Sequence, residues 1–316
     1  MRRVITVVTA AVLLCACAQA AAITAPYSGN YTLVNLGAVT NVTAPYGGIA
    51  FLDNNTLLLG GSANNSSGAI YEATVTRGAG NNITSIGPAT LFATANDIDG
   101  GLAFGPGGDL FFTEYPNNQI GEILPGGSSP AYTSPDLTGV GVTSSVGTLT
   151  FIPAGFNGAG SFVIGSYSGG AFCTAPLTPD GTVTGAFDIG TCTGNGTNVG
   201  GGPEGIIYVP QGSTDFSGQN VLVSQYGDGQ ISVFAIDSNG LPTGTGTAFI
   251  TGLTGAEGAV VDPLTGDFLF STFGGGNQVY EVQGFSNPGS GTPEPGTFFL
   301  MAGGLAAVFA ARRRRA

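Results

Sequence analysis

The chain has 316 residues, with 19 acidic against seven basic side chains, a formal charge of −12, and no histidine or tryptophan. Without histidine, Ser-His-Asp and Cys-His nucleophiles and histidine-bearing zinc sites cannot be built, and since every basic residue is an arginine, no lysine can serve as Schiff base or general base. The acidic balance argues against nucleic acid and anionic membrane surfaces as partners, and leaves carboxylates as the strong catalytic candidates.

The N-terminus reads MRRVITVVTAAVLLCACAQAAA: a basic start, an apolar run from Val4 to about Ala18, and a small-x-small cleavage pattern at Ala18-Gln19-Ala20. Residues 1–20 are expected to be a secretory signal peptide. A lipoprotein alternative stays open, because Leu14-Cys15-Ala16-Cys17 loosely matches a lipobox with Cys17 as the acylated residue.

Residues 21–285 form the body, long enough for one sizeable core. Between residues 21 and 292 there are 18 acidic residues and one basic one, Arg77, expected to pair with a local carboxylate. The body repeats itself. Similar text starts at Gly47 (GGIAFLDNNTLLLGGS), Gly100 (GGLAFGPGGDLFFTEY), Val146 (VGTLTFIPAGFNGAGSFVIGSY), Glu204 (EGIIYVPQGSTDFSGQNVLVSQY) and Glu257 (EGAVVDPLTGDFLFSTF). Each unit is an apolar strand, a turn rich in Gly, Asp, Asn or Pro, and a second strand. A third strand follows in all five, as in AIYEATV from Ala69 and QVYEVQ from Gln278. A fourth follows in four of them: TLFAT from Thr90, AYTS from Ala131, TGAFDIG from Thr184 and TAFIT from Thr247.

Intervals of 46 to 58 residues between unit starts are those of propeller blades. The expected fold is therefore all-β, a β-propeller of five blades. The last unit lacks its fourth strand, and residues 27–39, which contain the strand-like Tyr31-Thr32-Leu33-Val34-Asn35-Leu36, are placed to supply it and close the ring. Six blades stay open as an alternative, since the interval from Val146 to Glu204 is long enough to hide an irregular insertion. The repeated lines resemble those of NHL and SMP-30-like propellers, a resemblance that speaks for architecture and leaves function to the site.

Cys173 and Cys192 are the two cysteines left after the signal, and an even count in an exported chain points to a disulfide, with buried free thiols as the alternative. Glu204 and Glu257 stand at equivalent places, each followed by glycine at the start of an innermost strand, near Asp97 and Asp99. In propellers such strand starts line one mouth of the central channel. The SMP-30-like resemblance implies that a Glu-Gly of this kind supplies one metal ligand, with asparagine and aspartate ligands from other blades. Glu204, Glu257, Asp97 and Asp99 are thus the candidate ligands for a hard cation such as calcium. The alternative is that they accept backbone hydrogen bonds and shape the rim; no catalytic residue is assigned. Asp109, Asp262 and Asp267 read as turn formers, and Asn-rich loops such as Ala63-Asn64-Asn65-Ser66-Ser67 as surface. Tyr115, Tyr167, Tyr226 and Phe273 recur after the second strands and read as inter-blade packing.

Residues 286–296 read as a linker holding Pro293-Glu294-Pro295. Residues 297–316 come next, an apolar run over 298–311 and then Arg312, Arg313, Arg314 and Arg315. The apolar run is expected to be a transmembrane helix, with the arginines on the cytoplasmic side. The three elements in this order resemble the PEP-CTERM sorting signal, which implies recognition by an exosortase-type processing enzyme, transient membrane anchoring by the helix, and delivery to the envelope or exterior. On the sequence alone the leading reading is a non-enzymatic propeller at the cell surface or in an extracellular polysaccharide matrix. The alternative is a metal-dependent, SMP-30-like lactonase or hydrolase of a small sugar-derived ester.

Overall fold

The computed structural model describes residues 20–286. Two strands come first, β1 (Ala22–Ile23) and β2 (Thr32–Gly37). Blade 1 consists of β3 (Tyr46–Asp53), β4 (Thr56–Gly61), β5 (Ala69–Arg77), a short β6 (Ile83–Ile86) and β7 (Thr90–Thr94). Blade 2 is β8 (Ile98–Phe104), β9 (Leu110–Glu114), β10 (Gln119–Ile123) and β11 (Tyr132–Thr133). Blade 3 is β12 (Val146–Phe151), β13 (Phe162–Ser166) and β14 (Ala171–Ala175), then a separate hairpin of β15 (Leu177–Pro179) and β16 (Phe187–Ile189), then β17 (Thr193–Asn198). Blade 4 is β18 (Pro203–Tyr208), β19 (Asn220–Gln225), β20 (Gln230–Ile236) and β21 (Pro242–Thr251); blade 5 is β22 (Ala256–Val261), β23 (Phe268–Thr272) and β24 (Val279–Gln283).

The protein is a five-bladed β-propeller of antiparallel sheets. As the sequence predicts, β2 supplies the outer strand of blade 5, with Leu33 opposite Val282 and Val34 opposite Glu281. The long interval that left six blades open holds the β15–β16 hairpin. A strand not foreseen, β1, adds to the outer edge of blade 4 by pairing with β21. The predicted fourth strand of blade 3 is corrected. Residues 187–189 belong to the hairpin, and the outer strand is β17, whose TGNGTN is too polar to read as a strand but pairs with β14. Cys173 and Cys192 form a disulfide that fastens this irregular blade, and the adjacent Gly194 lies in register with Cys173.

The second strand of each blade is buried on both faces, because blades stack face to face. Hence β9, β13, β19 and β23 carry continuous rather than alternating burial. Each of the five inter-blade interfaces has its own apolar core, such as Leu58, Ile70, Leu102 and Phe112 between blades 1 and 2. The blade 4/5 core is capped by Tyr27 and Tyr31 from the N-terminal segment and Phe285 from the other end. Arg77 joins the blades that close the ring: its Nη1 and Nη2 donate to Asp262 Oδ2 and Oδ1 of blade 5 at 2.6 and 3.1 Å, and Nη2 also donates to Asn54 O at 2.6 Å.

The transmembrane helix expected over 298–311 is corrected. No helix among the described residues is long and apolar enough to cross a membrane, and the stretch itself lies outside them. Its 14 residues would make a helix of only about 21 Å against a hydrocarbon core of about 30 Å.

The Arg77 and Asp262 side chains are 9% and 0% exposed, so removing one charge strands the other. Arg77→Met is expected to lower unfolding free energy by about 3–5 kcal/mol, read from urea denaturation; an unchanged midpoint would show that the pair does not hold the closure.

Candidate metal centre

The inner strands β3, β8, β12, β18 and β22 converge on the axis, and each has a register irregularity within its first residues. Such bulges bend a strand and re-aim its side chains. Here they turn Asp99, Glu204 and Glu257, from blades 2, 4 and 5, into the channel at one mouth. One carboxylate oxygen from each lies within 4.8 Å of the others.

All three carboxylates are buried, at 1%, 4% and 1% exposure. Both oxygens of Asp99, both of Glu257 and Oε2 of Glu204 are buried with no hydrogen-bond partner. Burial raises all three carboxyls, Asp99 to about 8 and the two glutamates well above the usual range. For Glu204 the neighbouring charges of Asp99 and Glu257 add to this, and for Glu257 the charge of Asp99 does. Opposing the rise at Asp99 are the polar groups around it, with the Asn64 side chain first among them.

Glu204 reaches across the axis: a Cβ placed on Gly100 would lie 2.7 Å, and one on Gly147 3.0 Å, from its Oε2. The glycines that open the inner strands therefore make the space the carboxylate occupies.

Of the four candidate ligands the structure brings three together. Asp97 stays apart, at φ 58° in the turn before β8, with its Oδ2 accepting from Asn117 Nδ2 at 3.0 Å. Two residues on, past the start of the strand, the chain points Asp99 inward instead.

Sequence reasoning missed Asn64. The Ala63-Asn64 end of that Asn-rich loop is drawn in: Ala63 is buried, Asn64 takes φ 60°, and Asn64 Oδ1 is buried with no partner. The signal for it is indirect. Blade 1 has Ser62 where blade 2 has Tyr115, counting from Gly47 and Gly100, so the loop can fold toward the axis there.

The recurring aromatics form an arc at the same mouth. Tyr115 and Tyr167 lie 6.4 Å apart between ring centroids, Tyr167 and Tyr226 6.1 Å, and Tyr226 and Phe273 5.7 Å, each pair edge to face. The rings pack against one another across the blades, and Tyr115 is 37% exposed. Burial first, and then the Glu204 charge at Tyr167 and the Glu257 charge at Tyr226, raise both hydroxyls.

Carboxylate oxygens gathered within 4.8 Å of one another could coordinate a metal ion. Three carboxylates make an all-oxygen donor set, and a divalent ion would satisfy buried atoms otherwise left unpartnered.

Fold and site together define a five-bladed propeller with a buried acidic cluster that could coordinate a metal ion at one mouth of its channel. Residues 292–315 match the PEP-CTERM protein-sorting motif. That signal implies processing by an exosortase-type enzyme and supports export and sorting to the cell envelope. A comparison with curated proteins finds no match. Among solved structures, an auxiliary nutrient binding protein from Bacteroides thetaiotaomicron is 15% identical, with 78% of this chain and 60% of that one covered and a TM-score of 0.45. The PQQ-bound aldose sugar dehydrogenase from Streptomyces coelicolor is 12% identical, with 78% and 83% covered and a TM-score of 0.41. A candidate 6-phosphogluconolactonase from Bacteroides uniformis is 14% identical, with 75% and 66% covered and a TM-score of 0.40. Likeness at this level carries no functional argument.

The raised carboxyls make metal-free stability depend on pH in a definite direction. Unfolded, they ionise at ordinary values; folded, they hold their protons longer. Stability is therefore full below the unfolded values and is lost as pH rises toward the folded ones. Asp109 and Glu122, raised by burial to about 6 and about 7, act in the same sense, so the contrast with a variant isolates the cluster. Above about pH 5, without metal, Glu257→Gln should flatten the fall in unfolding free energy with rising pH, by at most about 1.4 kcal/mol per pH unit. Parallel wild-type and variant curves from urea titrations would refute a protonated Glu257.

Proposed function

We propose that the protein is an exported, metal-dependent hydrolase of small esters such as sugar lactones, working at the mouth ringed by Tyr115, Tyr167, Tyr226 and Phe273. The observation that carries this reading is the set of buried, unpartnered carboxylate oxygens of Asp99, Glu204 and Glu257, within 4.8 Å of one another. Asp99, Glu204 and Glu257 would hold a divalent cation, and their all-oxygen donor set suits a hard ion such as calcium. Such an ion, when bound, supplies a Lewis acid for an ester carbonyl and a more acidic water. The aromatic arc would exclude water and receive the body of the substrate. The signal peptide over residues 1–20 and the PEP-CTERM motif would deliver the chain to the envelope.

A non-enzymatic propeller held in the extracellular matrix is the second reading. It is favoured by the near-complete burial of the three carboxylates, which suits a structural ion better than one open to substrate. Calorimetric calcium titration of the mature chain, followed by turnover assays on neutral sugar lactones in the same sample, separates the two. One tight site, weakened at least about tenfold by Glu257→Gln, together with chelator-sensitive turnover, is the expected result. Binding without turnover assigns the second reading, and no binding refutes the metal centre altogether.

A further inference from the structure

The face opposite the carboxylates takes no part in that chemistry, yet it is built with equal regularity. There the inner strands end, and Phe51, Phe104, Phe151, Tyr208 and Val261, one from each blade, help wall an apolar hollow of about 420 Å³. A second hollow of about 540 Å³ lies beside it between blades 1 and 2 and shares Leu52 and Phe104 with the first. Its lining includes Leu91, 60% exposed, the most exposed large apolar side chain among the described residues. Joined apolar hollows open to solvent on a soluble fold mark a surface that something covers.

The chain itself leaves from this face. Gly284 N and Phe285 N donate to Asp267 Oδ1 at 2.9 and 3.3 Å, and Ser286 N donates to Ser213 Oγ at 3.1 Å. The Phe285 ring is packed on Tyr31 at 4.6 Å between centroids. Both anchors lie on loops that lead from the inner strands walling the first hollow. Asp267 closes the turn that contains Pro263, a lining residue, and the Ser213 loop is tied to blade 3 by Gln211 Nε2 donating to Gly155 O at 2.7 Å, two residues from the lining Pro153.

From Ser286 the chain has 12 residues to reach Phe298, a maximal span of about 40 Å. Phe298-Phe299-Leu300-Met301 then opens an apolar stretch that ends in four arginines. The hollows carry the complementary charge, since Asp53 lines the first and Glu72 the second, while the body's one arginine, Arg77, is already paired with Asp262. An anionic lipid surface would be repelled by the same acids.

We propose that this face is the docking site of the chain's own sorting tail: before processing, the apolar stretch 298–311 seats its aromatic end in the joined hollows, with Arg312–Arg315 toward Asp53 and Glu72. The propeller thus shelters its own apolar tail, and removal of the tail frees the face. The inference is independent of any cation at the opposite mouth.

The test is photo-crosslinking in the full chain with p-benzoylphenylalanine in place of Phe299, read by mass spectrometry. Crosslinks within one chain to peptides containing Leu52, Phe104 or Phe151 are expected. Leu91→Arg, a change at an exposed position that leaves the core alone, should reduce them about fivefold. Crosslinks to a second chain, to added phosphatidylglycerol vesicles in place of the propeller, or to the Asn117 side of the ring would each overturn the proposal, as would a Leu91→Arg yield equal to wild type.

Discussion

The structure depends on how closely five backbones can approach one axis. A Cβ on Gly258 of blade 5 would lie 2.6 Å from Gly48 Cα of blade 1, one on Gly48 2.5 Å from Leu102 Cβ of blade 2, one on Gly101 2.8 Å from Leu149 N of blade 3, and one on Gly205 2.5 Å from Glu257 O. Gly147 faces the Pro203 carbonyl in the same way. Real side chains do not tolerate such separations, so the glycines at the strand starts are what allow the ring to close at this radius. Small hydroxyl residues one strand out finish the seam: Thr113 Oγ1 donates to Gly147 O at 3.1 Å and Ser271 Oγ to Gly47 O at 2.6 Å, each bonding one blade to the inner strand of the next.

That closure has an electrostatic consequence. Where the strands are bare of side chains, the few that do project share a small dry volume, and in blades 2, 4 and 5 they are carboxylates. An ionised carboxylate taken out of water without a partner costs several kcal/mol, and three together cost more. Two remedies exist: the groups keep their protons, as their raised values indicate, or a cation joins them. At neutral pH these compete, because binding requires the protons to leave. The same cluster that weakens the ring without metal would therefore tighten it with one, since an ion at the axis bridges three of the five blades.

Repetition made the architecture legible in the sequence, because the geometry at the axis imposes similar residues on each blade: glycine at the strand start, an apolar strand, a turn, and an aromatic after the second strand. What could not be read was whatever broke the repeat or depended on partners far along the chain. The outer strand β17 is polar and gains its hydrogen bonds from β14, so no local pattern announces it. Arg77 reads as a residue with a nearby partner, but its carboxylate lies 185 positions away, brought alongside only by ring closure. Asp97 and Asp99 look interchangeable in a string of letters; a left-handed turn residue before the strand and a bulge within it send one outward and the other to the axis. Asn64 was hidden for the converse reason, since an Asn-rich loop is ordinarily surface and its inward turn follows from the absence of an aromatic in blade 1.

The two ends of the channel are chemically opposed because strand direction is the same in every blade. Each inner strand runs from the carboxylate mouth to the apolar one, so its first residues and its last residues are sorted to opposite faces five times over. The last strand in the ring, β24, runs in that direction as well, and the chain must then emerge on the apolar face. The described chain thus ends on the face opposite the acidic site, by topology rather than by any particular contact.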